Sequence, residues 1–318
     1  MTSKKFVVQI HGGAWDIPQE LIAAHHRGVR AAREAAVAAL EQGARPVDAI
    51  VVALKVMEND PTFDAGHGSF LNENGEVELD AGIMEGATLR TGAVASIGSF
   101  ANPSEIALAV MEQTEHVLLV ASGAEKFALE NGFQKVEAHS LIHPREIEAF
   151  NAWVKAGKPD ARVFFAKPES HSQAGATPDK RGTVGVVIGV SNELPAPQNL
   201  FEVYAGTSTG GTPGKRAGRV GDVPLVGCGF YADNEGAAVS CTGWGEGLAR
   251  VVAAKSVSDF CRGGMHPQNA VEQVLQHMLK RTGGRGGLIA VDKHGRTGTA
   301  YTTPEMAFAG EGSAIALG

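Results

Sequence analysis

The pattern of hydrophobic and polar residues predicts helices and strands in groups rather than in strict alternation. Apolar residues recur at helical spacing over Glu20 to Gln42 and over Pro46 to Asn59, which predicts two helices that cover a sheet. The proline at the start of the second segment is typical of a helix start. A short apolar run, Phe6 to Ile10, predicts a first strand that ends in a turn at His11 to Ala14.

Further apolar runs predict the remaining elements. A glycine-rich loop, Pro61 to Phe70, precedes a hairpin over 71–80 with an Asn-Gly turn. Strands are predicted at 80–84, 92–97, 116–121, 184–190, 201–208, 229–232, 236–241, 287–292 and 298–302, and helices at 102–113, 246–261 and 267–281, with interrupted helix over 122–157. Grouped strands favour two packed sheets between helical layers over a doubly wound nucleotide-binding fold.

Composition places the chain among globular proteins. Its 318 residues suffice for one large domain or two ordinary ones, and 43% are hydrophobic and 20% charged. The 41 glycines are clustered, which indicates either backbone that approaches another group closely or tight turns between strands.

Charge and cysteine content narrow the class of protein. A net charge of −7 with dispersed basic residues argues against a nucleic-acid partner. Three cysteines without CxxC spacing predict neither a disulfide framework nor a zinc site, and they fit a reducing compartment. The apolar run at Phe6 to Ile10 is too short for a signal sequence, and no run is long enough to span a membrane, so we expect a cytoplasmic protein.

One boundary in the pattern carries candidate chemistry. The polar loop Ser170 to Arg181, which we expect to be mobile, is followed by Gly182 and by an apolar strand that starts at Thr183. The Thr183 hydroxyl could attack the unshielded carbonyl of Gly182 and free an N-terminal threonine. Its amine, with an ordinary pKa of about 7.7–8.0, could then act as the base for its own hydroxyl. The alternative is a β-branched residue that simply opens a strand.

Several short motifs occur in a characteristic order. They are HGGA at 11–14, FDAGHGS at 63–69, ELDA at 78–81 with GAVA at 92–95, GTVG at 182–185, GTSTGG at 206–211, GRVGDVPLVG at 218–227, CTGWGE at 241–246 and GGLIAVD at 286–292. Each motif alone is weak, but together they resemble the plant-type (type III) asparaginase and isoaspartyl aminopeptidase family of N-terminal nucleophile hydrolases. The match runs nearly end to end.

The resemblance implies a fold, a maturation step and a reaction. The fold would be an α+β, four-layer αββα sandwich in a single domain. Cleavage before Thr183 would give an α chain, 1–182, and a β chain, 183–318, which assemble as a dimer of cleaved αβ units. The enzyme would hydrolyse isoaspartyl (β-aspartyl) dipeptides and L-asparagine through a β-aspartyl ester on Thr183, without an organic cofactor.

The resemblance also assigns roles to residues around the nucleophile. Thr183 would be nucleophile and base, Thr209 would hold its hydroxyl, and Thr242 would be its neighbour. Thr242 and the amide of Gly243 would form the oxyanion hole, since a tetrahedral intermediate needs preorganised donors.

Substrate binding would fall to Arg219, Asp222 and Gly245. A planar guanidinium suits a carboxylate and an aspartate suits an ammonium, so the first two would read the head group of an amino acid. Alternatively, both are surface residues of a solvated turn. His11 is either a hydrogen-bonded core histidine or a site residue.

The chain departs from the resembled pattern in three places. Asp64 stands where the family usually has asparagine, and its charge would raise the pKa of the Thr183 amine, unless backbone amides hold it as a turn residue. Trp244 replaces a small residue and would narrow the side of the leaving group or offer it a stacking face. The loop from Ser191 to Leu200 is longer than usual.

A sodium ion is also implied by the resemblance. It would be bound by main-chain carbonyls, so side chains do not reveal it. The residues concerned are Met57, Glu58, Asp60, Phe63, Ala65 and His67.

Two other functions fit parts of this pattern. A glycosylasparaginase shares the nucleophile and the head-group binding but takes a sugar-bearing leaving group. An uncleaved, non-enzymatic protein could bind small amino acids through Arg219 and Asp222.

Overall fold

A computed structural model describes residues 5–159, 182–191 and 200–317. Within these ranges the predicted α+β sandwich is confirmed: two mainly antiparallel sheets lie between helices. The loop Ser170 to Arg181 and residues 192–199 of the second loop lie outside the described residues.

The elements follow each other in the grouped order that the sequence predicts. The strands are β1 (Phe6–Trp15), β2 (Leu79–Glu85), β3 (Thr91–Ile97), β4 (Leu119–Val120), β5 (Val184–Ser191), β6 (Phe201–Thr209), β7 (Phe230–Tyr231), β8 (Ala237–Gly243), β9 (Gly286–Asp292), β10 (Thr297–Tyr301), β11 (Glu305–Ala309) and β12 (Ile315–Ala316). The helices are α1 (Gln19–Glu41), α2 (Pro46–Glu58), α3 (Pro103–Gln113), α4 (Ala121–Glu130), α5 (Pro144–Lys155), α6 (Gly245–Arg250), α7 (Ala253–Arg262) and α8 (Pro267–Thr282), with a 3₁₀ turn at Ala138–Leu141.

Two sheets face each other. The first has seven strands in the order β11-β1-β5-β6-β2-β3-β4, and the second has five in the order β12-β10-β9-β8-β7. Helices α1 to α4 pack on the outer face of the first sheet, and α7 and α8 pack on the second. No helix in the described ranges is long and apolar enough to cross a membrane.

Strand β5 shows how the core is divided. Val184, Val186 and Ile188 pack toward the helices, whereas Val187 belongs to the core between the sheets. Because side chains alternate along a strand, odd-numbered residues of β5 face the other sheet. Both faces are buried, which explains the continuous apolar run in the sequence.

The turn predicted at the HGGA motif, residues 11–14, is wrong. The segment His11 to Ala14 is not a turn, because β1 continues through it to Trp15 with an irregular register between His11 and Ala14. Gly13 takes the positive φ of 107° that this bulge requires. The partner that keeps the segment extended is β11, a strand that the sequence analysis missed.

Other boundaries also differ from the predictions. The strand predicted at 116–121 is reduced to two residues, and the hairpin at 71–80 keeps its turn but forms only one bridge, Leu71 to Val77. The helix predicted at 246–261 is two helices, α6 and α7, because Val252 has a left-handed φ of 49°. Strand β12 was also missed.

Close contact between the sheets predicts a stability difference between two glycine variants. A Cβ on Gly82 would overlap the fully buried ring of Phe230, so Gly82→Ala should lower the free energy of unfolding by about 1–3 kcal/mol. Gly123, in helix α4, has no neighbouring atom in the way, and Gly123→Ala should raise it by about 0.4–1 kcal/mol. Urea unfolding measures both, and equal effects would show that the sheets are not tightly packed at Gly82.

Candidate active site

The pairing of β5 and β6 brings two threonines together. Val184 pairs with Ser208 in the antiparallel ladder, so Thr183, just before β5, lies beside Thr209 at the end of β6. The Thr183 hydroxyl donates to Thr209 Oγ1 at 3.1 Å, and both side chains are buried. The sequence-predicted partners therefore meet in the structure.

Asp64 extends this contact into a chain of hydrogen bonds. The Thr209 hydroxyl donates to Asp64 Oδ2 at 3.3 Å, and Asp64 Oδ1 accepts from the Phe70 amide at 3.0 Å. The amide of Gly211 donates to Thr209 Oγ1 at 3.0 Å. An ionised carboxylate can only accept, so the bonds run from Thr183 through Thr209 to Asp64. We call these three side chains the hydroxyl chain.

Both oxygens of the Asp64 carboxylate are engaged. A backbone amide of its own loop holds one carboxylate oxygen, and the other faces Thr209. Its burial raises the pKa of the carboxyl to about 7, with Lys215 and Arg219 among the groups that oppose this rise. Within the hydroxyl chain, the Thr209 hydroxyl links Asp64 to Thr183.

The bulge in β1 lies directly against the Gly182-Thr183 bond. A Cβ on Gly182 would lie 2.6 Å from Gly13 Cα, and one on Gly13 would lie 2.8 Å from Gly182 Cα. Neither position accommodates a side chain without a shift of backbone. The two glycines therefore allow a close backbone contact at the candidate cleavage site.

His11 is a buried core histidine that also contacts the site. Its Nδ1 lies 3.0 Å from the Thr183 carbonyl oxygen, and its Nε2 lies 2.7 Å from Ser240 Oγ. Burial lowers the pKa of His11 to about 3, so the ring is neutral. Since a carbonyl only accepts, Nδ1 carries the proton and Nε2 accepts from Ser240.

The second sheet contributes Thr242 and Gly243. Thr242 Oγ1 accepts from the amide of Ala14 at 3.3 Å, so it reaches the same bulge that touches Gly182. Gly243 has a φ of 126°, and a Cβ there would overlap the backbone of Gly286. The ring of Trp244 packs on α6, where a Cβ on Gly247 would lie 2.9 Å from Trp244 Cε3.

Arg219, Asp222 and Gly245 lie close together. A Cβ on Gly245 would lie 2.7 Å from Asp222 Oδ1 and 3.0 Å from Arg219 Nη2. Asp222 is buried, and burial raises the pKa of its carboxyl to about 7 against the opposing effect of Arg219. Its Oδ2 has no hydrogen-bond partner among the described residues.

Sequence reasoning missed two buried charges beneath Thr209. The side chain of Lys215 is only 1% exposed, and its Nζ donates to the Glu78 carbonyl at 2.9 Å. Asp80 pairs with Thr209 across the sheet, and burial raises its pKa while Lys215 opposes the rise. The ELDA motif contained Asp80, but nothing in a turn-rich segment indicates that Lys215 is buried.

The glycine-rich loop carries half of the carbonyls that the resemblance implies as sodium ligands. It folds back on the end of α2, where the His67 amide donates to the Glu58 carbonyl at 2.7 Å. A Cβ on Gly66 would lie 2.5 Å from that carbonyl oxygen, so the cradle requires glycine. A carbonyl keeps a second lone pair, and such oxygens are ligands for hard cations. In the described ranges no group of three His, Cys, Asp or Glu side chains could hold a metal ion.

Comparison with known proteins identifies relatives of the chain. Residues 4–315 match the family described as Asparaginase. An isoaspartyl peptidase/L-asparaginase from Danio rerio is 40% identical over 303 residues, which cover 95% of this chain and 91% of that protein. A plant-type L-asparaginase from Pyrococcus abyssi is 40% identical over 94% of each chain, and an isoaspartyl peptidase from Salmonella typhimurium is 37% identical over 95% and 94%. The chain belongs to the asparaginase family, as its motifs indicated.

Proposed function

We propose that this protein is a self-processing amidohydrolase that hydrolyses isoaspartyl dipeptides and L-asparagine. The observation that carries the proposal is the hydroxyl chain at the Gly182-Thr183 bond. The names of the relatives, isoaspartyl peptidase and L-asparaginase, support the substrate class.

Maturation would begin with an attack of Thr183 Oγ1 on the Gly182 carbonyl. As the Thr183 hydroxyl gives its proton to Thr209, Thr209 gives its own proton to the ionised Asp64. The peptide C–N bond then breaks as its nitrogen takes up the proton returned along this chain, which leaves an ester. Water then hydrolyses the ester to the Gly182 carboxylate and regenerates the Thr183 hydroxyl. The products are the 1–182 and 183–318 chains.

In the mature enzyme the Thr183 amine would take the proton of its own hydroxyl. The oxygen attacks the β-carbonyl of the substrate, and the Thr242 hydroxyl and Gly243 amide stabilise the oxyanion. The leaving amine departs with the proton, and a β-aspartyl ester remains on Thr183. Water releases L-aspartate and restores the threonine.

Three further features belong to the proposal. Arg219 binds the α-carboxylate of the substrate, Asp222 binds its α-ammonium, and Gly245 leaves room between them. A sodium ion held by the carbonyls named above would fix the loop that carries Asp64. The cleaved units would pair as a dimer.

Autocleavage gives the first prediction. Purified wild-type protein should separate under denaturing conditions into chains that end at Gly182 and begin at Thr183, while Thr183→Ala should stay intact because it lacks the attacking hydroxyl. Intact-mass measurement checks this. Fragments of Thr183→Ala at the same bond would contradict an intramolecular attack, and an intact wild type would favour the uncleaved binding protein.

Head-group binding gives the second prediction. Arg219→Ala should mature normally but lose at least about tenfold in kcat/KM on isoaspartyl dipeptides, because it removes a charge-assisted contact of roughly 1.5–3 kcal/mol. The matched control is Arg216→Ala, an exposed arginine of the same segment. Equal losses for the two variants would show that Arg219 does not bind the substrate.

The charge of Asp64 gives the third prediction. Burial raises the pKa of Asp64 to about 7, so its carboxyl is mostly ionised at the pH where the Thr183 amine, with an ordinary pKa of about 7.7–8.0, titrates. The negative charge stabilises the ammonium and raises its pKa, so Asp64→Asn should move the acid limb of kcat/KM to lower pH. Asp48→Asn, at the exposed start of α2, should not. Superimposable limbs for matured wild type and Asp64→Asn would exclude this charge effect.

A further inference from the structure

The two proposed head-group residues carry opposite charges and both lie close to Gly245. Arg219 and Asp222 are close enough that the guanidinium opposes the rise in the pKa of the buried carboxyl. If they paired with each other, neither would have its charge available for a substrate. In the described part of the chain Arg219 instead forms its ion pair with Glu246, and Asp222 Oδ2 stays without a hydrogen-bond partner.

Glu246 holds one edge of the guanidinium. Its Oε1 accepts from Arg219 Nε at 2.9 Å and lies 2.8 Å from Nη2. This contact leaves Nη1 and the outer Nη1/Nη2 edge for another anion. Gly221 and Gly245 lie against the guanidinium. A Cβ on Gly221 would lie 2.8 Å from Nη1, and a Cβ on Gly245 would lie 3.0 Å from Nη2.

The position of Glu246 fits this role. It occupies the first turn of α6, directly after Gly245, and its side chain is 47% exposed. It pairs with Arg219, whose side chain is 16% exposed, whereas Asp222 is buried. The CTGWGE motif places Gly245 and Glu246 side by side, so one glycine opens the pocket and the next residue orients its cation.

We propose that Glu246 is a positioning residue that keeps Arg219 from pairing with Asp222, so that both remain available for the carboxylate and ammonium of a zwitterionic amino-acid head group. This inference rests on the proposed function, in which Arg219 and Asp222 bind that head group. It adds a residue to which neither the motifs nor the relatives' names give a role.

The proposal has a consequence for pH dependence. The charged and titratable groups that face Asp222 are Arg219, Glu246 and Asp80, with Cys228 and Cys241 on the elements packed behind it. Burial raises the pKa of Asp222 to about 7, Arg219 lowers it, and Glu246 and Asp80 raise it. Only the ionised carboxylate attracts an ammonium, so affinity should fall as the pH drops through that pKa.

Removal of the Glu246 charge should have two effects: it should weaken binding of the head group, and it should lower the midpoint, which is the pH at which half of the affinity is lost. Arg219 would be released toward Asp222, so the affinity for a head group should fall even where Asp222 is fully ionised. The pKa of Asp222 should fall as well, because a like charge is lost and the guanidinium moves closer. A merely structural defect would weaken binding without a shift of the midpoint.

The experiment is calorimetric titration of matured protein with L-aspartate, which carries the head group without any chemical step. Wild type, Glu246→Gln and Glu246→Asp are compared at low ionic strength over a pH series that brackets the Asp222 pKa. Glu112→Gln is the matched control, since it removes one of the two carboxylate partners of Arg45, an arginine of the other helical layer. Glutamine keeps the size of the side chain, and the site is partly exposed, so folding should be preserved.

Glu246→Gln should bind L-aspartate at least about tenfold more weakly at high pH, with its midpoint at lower pH than wild type. Glu246→Asp keeps the charge but loses reach, so it should bind weakly, with a midpoint between those of wild type and Glu246→Gln. Glu112→Gln should match wild type in both.

If Glu246→Gln keeps the affinity and the midpoint of wild type, the inference is wrong but the proposed function stands. The same conclusion follows if Glu112→Gln weakens binding as much as Glu246→Gln does. Matured wild-type protein that binds no L-aspartate would overturn the proposed function, and the inference with it.

Discussion

The candidate site depends on the contact between the β1 bulge and the start of β5. Gly13 and Gly182 touch backbone to backbone, Ala14 donates to Thr242, and His11 contacts the Thr183 carbonyl. One irregular stretch of strand thus positions the bond to be cleaved, the residue that follows it and a threonine of the opposite sheet. Without the two glycines the backbones could not approach, and Thr183 would not be held in this position.

Electrostatics impose a second constraint, because the site buries several carboxylates in a small volume. Asp64, Asp80 and Asp222 are all buried, and burial raises the pKa of each. Arg219 opposes all three shifts, and Lys215 opposes those of Asp64 and Asp80. Buried carboxylates cost stability unless their charges are compensated, which explains why Lys215, with a side chain only 1% exposed, lies close enough to act on Asp64 and Asp80.

The sequence predicted those parts of the molecule whose signal is local. The periodicity of α1 and α2, the junction at Thr183 and the segment with Arg219 and Asp222 all carry such a signal, and the structure brings these site residues together. The Gly-Gly pair in β1 was taken for a turn, because its extended state depends on β11, almost 300 residues later. The roles of Lys215 and Glu246 could not be predicted either, since burial and ion pairing depend on which distant segments fold over them.

The strand order has a consequence for the cohesion of the molecule after a cut before Thr183. Residues before the cut supply β1, β2, β3 and β4 to the first sheet, and residues after it supply β5, β6 and β11. Strand β1 would lie between two strands of the other piece, and β2 would pair with β6. The strands of the two pieces are interleaved within one sheet, so the pieces can separate only if three hydrogen-bonded strand pairings open together. Either piece made by itself would expose unpaired strand edges that invite aggregation.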